Sequence, residues 1–171
     1  EILGRMDEPR AASILALHSH DVPDEFSDSV LRDAENAKAI QTTREDLTHL
    51  PLLTIDPEDA RDHDDAVCAW PDEDPTNKNG WVVIVAIADV AAFVRNNTPL
   101  DNEAYRRGNS TYFPDRVAPM LPETLSADQC SLRENELRET LAVEMRFSAS
   151  GDKIGHRFIR GRMKSHAKLS Y

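Results

Sequence analysis

The segment Thr54-Ile-Asp-Pro-Glu-Asp-Ala-Arg-Asp-His-Asp-Asp-Ala-Val67 carries five aspartates directly after the apolar run Leu50-Pro-Leu-Leu-Thr-Ile55. Asp56, Asp62, Asp64 and Asp65 are the ones whose spacing could do chemistry. Carboxylates this close repel one another, and holding them at the edge of a core calls for something positive, a divalent cation above all. If the chain is extended around Asp62, then Asp62 and Asp64 point to the same side. Asp65 can join them through a turn or bulge, and Asp56 can reach in from the end of a preceding strand. Such a set can hold magnesium, which takes octahedral oxygen coordination and leaves positions for water and substrate phosphate. Four carboxylates also allow a pair of ions, which together stabilise the attacking and leaving oxygens of a phosphodiester cleavage.

Other readings of the same residues stand beside this one. A calcium-binding EF-hand loop is disfavoured because the run lacks the turn glycine and the distal Glu. Paired acids for glycoside hydrolysis use two carboxylates, and four packed so closely suit that chemistry poorly. A solvated acidic loop is the plainest alternative, since acid runs are usually surface features.

The elements that must position these residues follow from periodicity. Residues 52–56, 65–70 and 81–89 are β-rich, and Trp81-Val-Val-Ile-Val-Ala-Ile-Ala-Asp89 reads as a strand buried on both faces. The polar stretch from Pro71 to Gly80 makes the last two a hairpin. Helices are expected over residues 9–19, opening on Pro9, over 24–40 with acids at its start, and over 99–108 with a Gly stop. The three prolines of Tyr112-Phe-Pro-Asp-Arg-Val-Ala-Pro-Met-Leu-Pro-Glu123 require an extended or looped segment, rigid enough to touch a ligand or simply to connect. Residues 139–148 read as a strand, 149–152 as a tight turn and 153–168 as a long return strand. On that return strand Arg160, Arg162, Lys164, His166 and Lys168 would share one face, either contacting phosphates or pairing with acidic neighbours. The fold class expected is α+β, a mostly antiparallel sheet with flanking helices.

Composition sets the bounds. With 171 residues and 40% hydrophobic side chains the chain can bury a core, and 31 acidic against 20 basic residues argue against a polyanion-binding surface over the whole molecule. Any nucleic-acid contact must be local or metal-assisted. No run of about eighteen apolar residues offers a membrane span. The opening Glu1-Ile-Leu-Gly-Arg-Met-Asp7 has neither an initiator Met nor a signal-peptide profile, so the chain reads as part of a longer one, and the end at Tyr171 has neither tail nor cap. Cys68 and Cys130 lack metal-site spacing and suggest two core thiols in a reduced, cytoplasmic protein.

Four stretches carry a family pattern: Thr54 to Val67, Val85-Ala-Ile-Ala-Asp-Val90, Gly108-Asn-Ser-Thr-Tyr-Phe-Pro-Asp-Arg-Val-Ala-Pro-Met-Leu-Pro122 and Leu125-Ser-Ala-Asp-Gln-Cys-Ser-Leu132. In this order they resemble the opening part of the catalytic domain of the ribonuclease II and ribonuclease R family, the RNB domain. The resemblance covers residues 50–171, and residues 1–49, read as a helical arm without a β-rich run, look like the connector that precedes this domain. It implies a magnesium-dependent, processive exoribonuclease, monomeric at full length, that hydrolyses single-stranded RNA from the 3′ end to nucleoside 5′-monophosphates. The family's acidic catalytic and metal-site positions fall on Asp56, Asp62, Asp64 and Asp65, and its base-stacking aromatic falls on Tyr112. A tyrosine in a proline-bounded segment is a sensible stacking platform in its own right. His63 stands where relatives often carry an apolar or aromatic side chain. The family's second stacking aromatic and its catalytic arginine and glutamate belong to a later portion that this chain lacks, so the 171 residues by themselves are expected to be weak or inactive. A non-catalytic metal-binding or interaction module is the competing class, and hydrolysis of another phosphodiester such as DNA is a third.

Overall fold

The computed structural model describes residue 7 and residues 10–171. Glu1 to Met6 and Pro9, to which the sequence assigned the chain's opening and the head of a helix, lie outside the described residues. Along the chain run α1 (Ala11–Ser19), α2 (Asp28–Glu35), β1 (Glu45–Asp46), β2 (Thr54–Asp56), β3 (Asp65–Pro71), β4 (Trp81–Ala88) and a 3-10 turn (Val90–Ala92). Then come α3 (Pro99–Arg107), β5 (Thr111–Phe113), β6 (Arg116–Ala118), a π-helical turn (Leu125–Gln129), β7 (Leu137–Phe147), β8 (Lys153–Lys164) and β9 (Lys168–Ser170). The fold is α+β and mostly antiparallel. Among the described residues no helix is long and apolar enough to cross a membrane.

The chain divides into two units, one of residues up to Ala37 with Val94–Thr124, the other of Lys38–Phe93 with Leu125–Tyr171. In the first, α3 starts as its sequence demands: the Thr98 hydroxyl accepts from the Asp101 amide, Pro99 fills the first turn, and Gly108 at φ 76° ends it. Arg107, at the end of α3, pairs with Glu103, stacks over the Phe26 ring at 3.7 Å and donates to the carbonyls of Pro23, Glu25 and Pro119. One buried guanidinium thereby ties α3 to two loops. Helix α2 is shorter than the 24–40 expected, because Ser27 takes the extended conformation of an N-cap and the helix ends at Asn36. The proline-rich segment folds into the hairpin β5–β6, with Tyr112 opposite Val117.

The second unit holds a five-stranded sheet in the order β1-β8-β7-β4-β3, antiparallel except for the short β1–β8 pair, and a separate parallel pair β2–β9. The hairpin β3–β4 forms in continuous register, Asp65 opposite Ile87 through Pro71 opposite Trp81. One sheet face is the core: Val82, Ile84, Ala86 and Ala88 of β4, Ala142 of β7, and Ile159 and Met163 of β8 are buried. Burying a side chain such as Ile84 stabilises by roughly 1.5–3 kcal/mol. Gly161 lets β1 approach on this face, since a Cβ there would lie 2.6 Å from Leu47 Cδ1.

Three expectations are corrected. Strand β4 is buried on one face only: Trp81 is 48% and Ile87 45% exposed, and they continue into an open apolar surface with Leu141 of β7 and Ile154 and Phe158 of β8. A run of β-branched residues does not distinguish a covered second face from an open one. The return strand breaks at Ser165–Ala167, where the Ser165 carbonyl accepts from Asn135, the His166 amide donates to Leu52 and the Ala167 carbonyl accepts from Thr54. The chain there leaves one sheet and joins β2. Third, β1 lies in the stretch read as a helical arm, because two residues gain strand pairing only where β8 offers an edge.

Candidate active site

Strand β2 delivers Asp56. Its side chains alternate so that Thr54 and Asp56 point inward and Ile55 outward, which buries the Asp56 carboxyl group. A buried carboxyl group needs a hydrogen-bond partner, and the His63 ring supplies it: Nδ1 lies 2.9 Å from Asp56 Oδ2. His63 is itself buried.

Between Asp56 and β3 the chain has no regular structure, so its backbone groups must find partners elsewhere. The Ala60 amide donates to Pro57, Lys168 Nζ donates to the carbonyls of Glu58 at 3.3 Å and Ala60 at 3.2 Å, and Ala88 donates to the Asp64 carbonyl at 2.9 Å. The Ser131 hydroxyl donates to the Arg61 carbonyl at 2.9 Å and accepts from the His63 amide at 3.2 Å, and Leu132 donates to the His63 carbonyl at 2.7 Å. The loop is thus laced to β4, to β9 and to the Leu125–Leu132 segment.

The result places Asp62 half-buried and Asp64 and Asp65 toward solvent, with Asp65 opening β3. Asp64 feels the other three. Partial burial of the Asp64 carboxyl, then repulsion from Asp65 and, more weakly, from Asp62 and Asp56, raises its pKa above the ordinary Asp value; a backbone hydrogen bond opposes the shift. Among the described residues no group of three or more His, Cys, Asp or Glu side chains converges into a preformed metal cage. Magnesium does not require one, since it commonly binds through one or two carboxylates plus water and substrate phosphate oxygens. Asp62, half-buried, and Asp64 and Asp65, facing solvent, carry hard oxygen donors of the kind that ion takes.

Tyr112 belongs to the other unit, on β5, and its ring is 66% exposed. The basic stripe resolves into separate roles. Arg160, Arg162 and Lys164 share the outer face of β8, but Arg162 is bound to Glu139 at 2.8 Å and Arg160 lies 3.7 Å from Asp89, so these two are spent on acidic neighbours. The break after Lys164 sends Lys168 to the aspartate loop instead. Cys130 is a buried thiol whose pKa is pushed up to about 12 by burial, and Cys68 is half-buried. The sequence missed Ser131 and Lys168 as organisers of the loop; the only signal for Ser131 was its place in the fourth family stretch.

The model of the RNB domain matches residues 44–171. Ribonuclease R of Buchnera aphidicola subsp. Acyrthosiphon pisum is 43% identical over 176 residues, covering 100% of this chain and 24% of that protein. The solved structure of Mycoplasma genitalium RNase R in complex with double-stranded RNA superposes with a TM-score of 0.91 at 30% identity, over 100% of this chain and 30% of that one. The same enzyme in complex with ribose methylated single-stranded RNA gives a TM-score of 0.91 over 27% of its length. The chain therefore spans about a quarter of the length of the relatives it matches.

Proposed function

The chain belongs to the RNB domain family, and from that premise we propose that the protein it is part of is a 3′-to-5′ exoribonuclease that degrades single-stranded RNA processively to nucleoside 5′-monophosphates. One observation carries the reading: four aspartates lie on the laced β2–β3 connection and the strand ends that flank it, where partial burial first and then the other three carboxyl groups raise the proton affinity of Asp64. Family membership alone would not require the carboxylates to be coupled in this way.

Asp56, Asp62, Asp64 and Asp65 are the residues that would hold magnesium. When bound, the ion supplies charge neutralisation at the scissile phosphate and a more acidic water. The chain's own residues supply the rest. Asp56 is oriented by His63, Asp64 and Asp65 face solvent where a phosphate can approach, and Tyr112 offers a ring on which a base near the 3′ end can stack, an interaction worth roughly 1–3 kcal/mol. Residues 1–49 serve as the connector to preceding RNA-binding parts and 50–171 as the first part of the catalytic domain. The full-length enzyme is monomeric and cytoplasmic. The 171 residues alone are weak or inactive, because the aspartates cannot provide the cationic stabilisation of the transition state.

The test is Asp64→Asn in the full-length protein, with 5′-labelled single-stranded RNA and a matched DNA as substrates. Loss of RNA degradation with folding and RNA binding retained is the expected result. Unchanged degradation removes the catalytic reading in favour of an interaction module, and equal cleavage of the DNA removes the ribonuclease assignment.

A further inference from the structure

The segment Leu125–Leu132 is one of the four family stretches, and neither the aspartates nor Tyr112 accounts for it. The structure shows what its serine touches. Ser131 is 1% exposed, and its hydroxyl spans the two residues on either side of Asp62, donating to the Arg61 carbonyl and accepting from the His63 amide. Leu132 closes the grip by donating to the His63 carbonyl at 2.7 Å. The serine is itself fixed: its amide donates to Asp128 at 3.2 Å and its carbonyl accepts from Arg138 Nε at 2.7 Å. The gripped residue, His63, in turn holds Asp56 through Nδ1.

We propose that Ser131 is a positioning residue for the acidic loop, setting the backbone at Asp62 directly and the Asp56 carboxylate through His63. This rests on the reading of the aspartates as the magnesium-binding set. The physical reason for such a clamp is that like-charged side chains on an irregular loop drive it open, and only backbone tethers from outside the loop can hold them within reach of one ion. A hydroxyl is the smallest group that can accept from one backbone group and donate to another at the same time. Partners of this kind around a metal site typically change affinity or activity by about 10–100-fold when removed.

The experiment uses the full-length protein and compares Ser131→Ala, Ser131→Cys and Ser131→Thr. Manganese is titrated without RNA, the free ion being followed by electron paramagnetic resonance, and magnesium-dependent degradation of a 5′-labelled single-stranded RNA is measured in parallel. Ser131→Ala should weaken manganese binding and raise the magnesium needed for half-maximal rate by about tenfold while the KM for RNA holds. Ser131→Cys keeps the volume but bonds weakly and should follow the alanine variant, whereas Ser131→Thr should recover most of the loss. Wild-type metal binding in a folded Ser131→Ala protein overturns the proposal, as does a cysteine variant as good as wild type. Amide hydrogen exchange on the unmodified protein tests it without any variant: His63 and Leu132 should be protected, and exchange as fast as at Glu58 and Asp59 overturns the clamp. Asp62→Asn is the control. If it leaves manganese binding intact, the metal-site reading itself fails; if it abolishes binding while Ser131→Ala does not, only the positioning role fails.

Discussion

Replacing Arg44 by alanine should be among the most destabilising single changes outside the apolar core. Its side chain is 4% exposed and pairs with two nearly buried carboxylates, Asp89 at 2.8 Å and Glu139 in direct contact, while Nη1 also lies 3.3 Å from the Gly161 carbonyl. Removing one partner of a buried ion pair usually costs about 3–5 kcal/mol, because the charge left behind keeps its desolvation cost and loses its compensation. Two carboxylates are stranded here, but Arg162 remains on Glu139 and Arg160 near Asp89. The loss should therefore fall at the low end, about 3 kcal/mol. With a urea dependence of about 2 kcal/mol per molar, the unfolding midpoint moves down by about 1.5 M. Arg162→Ala is the comparison, since that side chain is 49% exposed and its pair with Glu139 should be worth at most ~1 kcal/mol. A combined Arg44→Met, Asp89→Val, Glu139→Leu variant should recover most of the loss, because it removes the stranded charges along with the cation. Unfolding of Arg44→Ala within ~0.5 kcal/mol of wild type, or a triple variant no more stable than Arg44→Ala, would show that stranded charge is not what Arg44 prevents.

The Arg146 guanidinium, bonded to both Asp72 and Asp74, helps hold their pKa values below the ordinary range, with the Asn77 and Thr76 bonds contributing most. Depressed carboxylates stabilise the fold above their unfolded pKa of about 4 and lose that contribution as pH falls through their folded values. Arg146→Ala should accordingly lower the urea midpoint at pH 6 and differ less from wild type at pH 2.5; a gap that is constant with pH would contradict the assignment. The open apolar face of the sheet, with Phe158 at 72% exposure beside Trp81, Leu141 and Ile154, should make the isolated 171-residue chain self-associate. Sedimentation velocity should show species above monomer that Phe158→Ser with Trp81→Ser removes, and a monomer at all concentrations would count against that face as adhesive.

Much of this protein was legible from local pattern. The β3–β4 hairpin, helix α3 with its Thr98 and Gly108 boundaries, and the tight turn at Gly151 follow from periodicity and backbone preference, which depend on neighbours in sequence. The crowding of aspartates between Asp56 and Asp65 was legible because charge density is a property of the chain itself. What was read wrongly depended on distant partners: the break in the return strand, the small strand β1 and the open face of β4 each exist because of a residue or an edge far away in sequence. The basic stripe shows the same division, since alternation correctly placed Arg160 and Arg162 on one face but carried no information about Glu139 and Asp89 waiting for them.

Which acidic groups crowd together along the chain, from Asp56 to Asp65, is fixed before any folding, because side-chain identity and charge need no fold to be defined. Only the tertiary structure decided how those carboxylates stand: Asp56 buried on His63, Asp64 crowded by its neighbours, and the loop between them gripped by Ser131 from 68 residues further along the chain. The reason is physical. Repulsion among like charges is written into the sequence, but the backbone hydrogen bonds that overcome it form only after the sheet has folded and brought the two segments together.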